Sequence, residues 1–164
     1  VSEGTVFSYF KTKEGILKAI LSTFLEQVIP EVIADFSEKK FTVDQETFPF
    51  FLKSIVRDRL FFIQENQMHV KILLGRSFID KNLSIQLGNI IVQSIIEPIS
   101  PVLNQFKEKG LILNWSNERI VRYILALSFS YLIPMMLNDE GTINIDEAVD
   151  EIVECLSSAL MKVK

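Results

Sequence analysis

The chain has 164 residues, 48% of them hydrophobic, and a net charge of −4. That is apolar material for one sizeable core and too much for a disordered chain, while 6 Gly and 5 Pro are too few for an all-β fold rich in turns. The acidic balance excludes a chain that is basic throughout, so any contact with nucleic acid has to be local.

Residues 1–18 do hold a small cationic excess, Lys11, Lys13 and Lys18 against Glu3 and Glu14. Ser2 is a good N-cap for a short helix ending near Phe10. Thr12 caps the next helix, with Glu14 in its first turn where the dipole favours negative charge. Its apolar stripe runs Ile16, Leu17, Ile20, Leu21, Phe24, Leu25 and on to Phe36, so the spacing predicts one long helix kinked at Pro30. Ser37 to Glu46 reads as a polar loop. A Phe-rich helix is expected from Thr47 to about Glu65, and a shorter one from an Asn66 cap to about Ile79.

From Asn82 to Lys109 the stripe Leu83, Leu87, Ile90, Ile91, Ile95, Ile99, Val102, Leu103 and Phe106 predicts a long helix, bent by Pro98 and Pro101 and stopped by Gly110. Ser116 caps a helix reaching about Asn138. Asn144 and Glu147 form a candidate capping box for the last helix, whose stripe runs from Ala148 to Val163. No segment alternates with period two, so the fold class is all-α. The longest uncharged stretch, Tyr123 to Asn138, falls short of the ~20 residues a membrane-spanning helix needs, and it contains Pro134. It reads as a buried helix, with no membrane partner. Cys155 is the only cysteine, expected as a packed thiol, and nothing at the start reads as a signal peptide; both suit a reducing cytoplasm.

The opening residues, Val1-Ser2-Glu3-Gly4-Thr5-Val6-Phe7-Ser8-Tyr9-Phe10, then Lys13-Glu14 and the apolar pair Ile16-Leu17, carry the most specific pattern in the chain. This resembles the end of the helix-turn-helix of the TetR family of transcriptional regulators; Gly15 departs from the pattern, where a longer residue is usual. The resemblance implies a TetR-like helical repressor: residues 1–12 as the end of the DNA-binding head, 13–40 as a connecting helix, and 41–164 as an effector-binding and dimerisation domain. The family's first two helices have no counterpart in this stretch, so it is expected to hold its recognition helix loosely and to bind operator DNA weakly by itself. In the resemblance, Tyr9 and Lys13 contact phosphates. Thr5 and Ser8, three apart on one helix face, reach bases, and Gly4 allows close backbone approach.

The effector is expected to be small and mainly apolar, between the helices spanning 47–65, 66–79 and 82–109. Phe51, Ile55, Phe62, Leu73, Ile91 and Ile95 are the wall candidates, and His69, Asn89 and Gln93 the polar residues that would orient it. The resemblance also implies a homodimer through residues 117–137 and 145–163, with Val121, Leu125, Phe129, Ile152, Leu156 and Leu160 at the interface. No metal-ligand spacing, phosphate-cradling loop or nucleophile motif is present, so neither cofactor nor enzymatic activity is expected. The rival reading is a helical carrier of apolar ligands, or a dimerisation module, with no role on DNA.

Overall fold

The computed structural model describes residues 12–30, 43–44, 47–137 and 144–162. The expected helix over residues 2–10, with Gly4, Thr5, Ser8 and Tyr9, lies outside them, as do residues 31–36 and most of the loop that follows.

Helix α1, Lys13–Thr23, begins as its sequence indicates: Thr12 is extended and its Oγ1 accepts from the Gly15 N–H at 3.0 Å, with Glu14 in the first turn. It passes into a widened turn, Phe24–Val28, in which the Ile29 N–H reaches back five residues to the Phe24 carbonyl. Helix α2 spans Thr47–Glu65 and is capped reciprocally: Asp44 Oδ1 accepts from the Thr47 N–H, and Thr47 Oγ1 from the Asp44 N–H, each at 2.9 Å. Helix α3 is Gln67–Ser77. Helix α4, Lys81–Ile91, is capped by Asp80 rather than started at Asn82; the Asp80 carboxylate accepts from the Asn82 and Leu83 N–H groups at 2.9 and 3.2 Å.

A second widened turn, Val92–Ile96, joins α4 to α5, Glu97–Glu108, with the Glu97 N–H on the Val92 carbonyl. The two widened turns share a cause. Each ends two residues before a proline, Pro30 or Pro98, which has no N–H to donate and whose ring crowds the carbonyl four residues back. Adding one residue to the turn relieves the crowding while keeping the flanking groups bonded. A widened turn thus precedes Pro30 and Pro98, whereas Pro101, also expected to bend its helix, lies inside α5.

Gly110 ends α5 with φ of 69°, a conformation that costs little without a Cβ; its N–H reaches the Lys107 carbonyl at 2.9 Å. Helix α6, Asn117–Leu137, has Ser116 Oγ accepting from the Arg119 N–H at 3.2 Å. Helix α7, Ile145–Leu160, is capped by Asn144, which accepts from the Glu147 N–H. Among the described residues there is no strand, only an isolated bridge between Ile112 and Met161.

Two apolar clusters organise the helices. The larger joins α2, α5, α6 and α7 around Phe48, Phe51 and Phe106, with Phe106 5.1 and 5.6 Å from the other two ring centres. The smaller holds α1 to α3 through Leu21, Phe24, Ile29 and Leu73, with Leu87 and Ile90 of α4 packed against it.

The larger cluster corrects the expected dimer interface. Val121 is 1% exposed, Ile152 1%, Leu156 3% and Leu160 1%, all inside this chain's own core. An apolar stripe records only that something covers it, and here α7 lies chiefly on α2. The outward residues of α6 are instead Tyr123, Phe129, Ile133 and Leu137. Leu125 is half-buried. Cys155, expected to be packed, is exposed.

Polar links reinforce the α7 contacts. Lys53 pairs with Asp150 at 2.6 Å, and Arg57 pairs with Asp146. The Tyr131 hydroxyl donates to the Glu151 carboxylate across α6 and α7, and mainly through that bond the phenol is pushed up to about 12. Its neutral form is favoured in the fold, so this stabilisation is complete below the unfolded phenol's ordinary value of ~10 and fades as pH rises through the folded value.

Absorbance titration should therefore show Tyr131 ionising well above an ordinary tyrosine, with Glu151→Gln bringing it back towards ~10. For the core, Phe106→Ala is expected to cost ~3–5 kcal/mol in urea unfolding, whereas Phe50→Ala, at a site 71% exposed, should change stability by no more than ~0.5 kcal/mol.

Candidate ligand-binding site

Between the two clusters lies a cavity of about 520 Å³, within the usual ~300–1,000 Å³ of ligand pockets. Its walls come from most of the fold. The first widened turn contributes Phe24, and Ile29 follows it; α2 contributes Phe62 and Ile63, α3 Leu73, α4 Ile90 and Ile91, and the second widened turn Ile95. Helix α6 closes it with residues from Arg122 to Leu132, a span of roughly 15 Å at 1.5 Å per residue. Both proline-induced turns thus face the same space.

The expected wall residues divide. Phe62, Leu73, Ile91 and Ile95 line the cavity. Phe51 and Ile55 do not: they are 1% and 0% exposed in the larger cluster, because the Phe-rich face of α2 is turned towards α5 and α7. The polar expectations are corrected too. Asn89 and Gln93 are exposed and outside the lining, since they lie off the inward stripe of their helical segment. His69 stands behind the wall, its ring nearly parallel to Phe24 at 4.9 Å and an interplanar angle of 9°. Phe24 in turn lies 6.0 Å from Phe62. This stack ties the widened turn of α1 to α2 and α3.

The polar groups that do line the cavity are Arg59, Ser94, Arg122 and Ser128. Arg59 is 9% exposed, Ser94 7% and Ser128 6%. Burial pushes the Arg59 guanidinium below its ordinary value, opposed by the Asp58 carboxylate 3.4 Å away. A signal for two of them was present in the sequence. Arg59 occupies a stripe position among Leu52, Ile55, Val56 and Ile63, and Ser128 one among Val121, Ile124, Leu125 and Leu132. A cation in an apolar stripe is an exception that carries information.

A wider trough of about 930 Å³ runs along α1 and α3, past Leu17, Glu65, Met68, Lys71 and Arg76. It is a larger volume but an open one with charged walls, so a ligand there would stay hydrated. Among the described residues no cluster of His, Cys, Asp and Glu is suited to a metal, and no helix is long and apolar enough to cross a membrane. Of the expected DNA contacts only Lys13 is described, exposed in the first turn of α1.

No family model matches the chain, and no curated protein matches it in sequence. Among solved structures it is similar to a protein from Mesorhizobium loti assigned to the TetR family of transcriptional regulators, with a TM-score of 0.63 and 16% identity over 99% of this chain and 82% of the other. The chain therefore has an all-α, TetR-like fold.

Filling the cavity should separate it from a packed core. Ile91→Trp is expected to abolish binding of the neutral apolar dye Nile red while leaving the melting temperature nearly unchanged. Were the space already filled by side chains, the same substitution would overpack it, cost ~1–3 kcal/mol and leave dye binding unaffected.

Proposed function

We propose that the chain is a ligand-responsive transcriptional repressor of the TetR type, released from its operator when a small, mainly apolar effector enters the cavity. The observation that carries this reading is the position of α1. It starts at Lys13, directly after the residues resembling a recognition helix, and it leads into the widened turn that supplies Phe24, with Ile29 just beyond, to the cavity wall. One helix thus connects the proposed DNA contacts to the proposed effector.

The mechanism needs a dimer. Two heads related by a two-fold axis would read half-sites ~34–36 Å apart, and a tilt of α1 would change their separation. An effector favouring one tilt would oppose DNA binding, with a coupling typically of ~1–3 kcal/mol. The proposed interface is the outward face of α6, where Ile133 is 42% and Leu137 82% exposed. Exposed apolar side chains clustered on one helix are what a second copy would cover. Such a protein acts in the cytoplasm, on DNA, with no cofactor and no catalytic step.

Ile133→Glu with Leu137→Glu should give folded monomers in sedimentation; an unchanged dimer would place the interface elsewhere. Lys13→Ala and Tyr9→Phe should weaken binding to matched and mismatched operators about equally, because phosphates carry no sequence information. Thr5→Ala and Ser8→Ala should instead change the ratio between the two. Identical behaviour of both groups would reject the assigned roles, and absence of any salt-dependent DNA binding would favour the carrier reading.

A further inference from the structure

Among the described residues, the charge lining the cavity is of one sign. Of the twenty described residues that line it, sixteen are apolar, two are the serines, and the remaining two are Arg59 and Arg122. No Asp or Glu is among these twenty residues.

Arg59 sits on α2 one helical turn from Phe62 and Ile63, so the three share a face towards the cavity. Keeping a guanidinium at 9% exposure is costly, and the carboxylate of the adjacent Asp58, 3.4 Å away, helps to offset that cost. Ser94 and Ser128 are buried in the same lining and bring hydroxyls that can donate to an anion. A wall of aliphatic and aromatic side chains carrying guanidiniums and hydroxyls matches a molecule with a hydrocarbon body and one acidic end.

We infer that the effector is an amphiphile with a carboxylate head, held at Arg59 with Arg122, Ser94 and Ser128 nearby, and with its hydrocarbon part against Phe24, Phe62 and the isoleucines of α4. This deepens the proposed function and rests on reading the cavity as the effector site. The planar fork of a guanidinium pairs with a carboxylate through two parallel hydrogen bonds, an arrangement that a neutral alcohol cannot reproduce and that an ammonium opposes. The apolar walls supply affinity for any alkyl chain; the arginines supply selection among heads.

Three probes of equal chain length test this on the unmodified protein by calorimetry: dodecanoate and dodecylammonium below their micellar concentrations, and dodecanol below its solubility limit. Dodecanoate should bind at least ~10-fold more tightly than dodecanol, the minimum for a charge-assisted pair in a desolvated site, and dodecylammonium more weakly than either. In Arg59→Met, which keeps the stem's volume, the advantage of dodecanoate should collapse while dodecanol binding is retained; Arg59→Lys should restore part of it. Equal binding of dodecanoate and dodecanol, or an Arg59→Met protein that keeps the preference, overturns the carboxylate head and leaves an apolar effector site standing. If none of the three binds, the effector-site reading itself falls. Because the ranking of the three probes on the unmodified protein already decides the matter, a variant that failed to fold would not shelter the inference.

Discussion

Phe24 pins the widened turn after α1 to α2 and α3. It is 1% exposed, stacked between His69 of α3 at 4.9 Å and Phe62 of α2 at 6.0 Å, and it lies at the turn where α1 widens. Besides it, α1 is held by a small cluster of Leu21, Ile29 and Leu73, whereas α2, α5, α6 and α7 share the far larger core around Phe106. The attachment of α1 is thus the weaker one, and its central ring is also a wall of the cavity. Whatever fills the cavity touches the residue that positions α1.

The prolines give this arrangement its shape. Pro30 and Pro98 each follow a widened turn, and the cavity is lined by residues of both turns. Ile29, just after the first turn, and Ile95, within the second, both line the cavity, which lies between the two apolar clusters.

Much of this was legible in the residues. The caps at Thr12, Ser116 and Asn144 and the stop at Gly110 follow from local chemistry, which a single sequence carries in full. What covers each apolar stripe is not local. The stripe of α7 was assigned to a second subunit, yet α2 takes it, and Phe51 and Ile55 of α2 went to that contact instead of to the cavity. The polar lining was misread for a related reason. Asn89 and Gln93 are polar residues on a helix that contributes to the wall, but they lie off its inward stripe, while Arg59, set within an apolar stripe, is the residue whose position departs from the pattern. The opening motif was the most specific feature of the sequence, and the TetR-like fold is in keeping with it.

The central claim is that occupancy of the cavity is felt by α1. Hydrogen exchange followed by mass spectrometry, with and without saturating dodecanoate, tests it directly, because amide protection reports the opening free energy of each helix separately. The account predicts altered exchange in Lys13 to Ile29 together with α3 and α6, and unchanged exchange in α7, which has no residue in the cavity wall. Bound ligand that protects α4 and α6 while leaving Lys13 to Ile29 as before would contradict it.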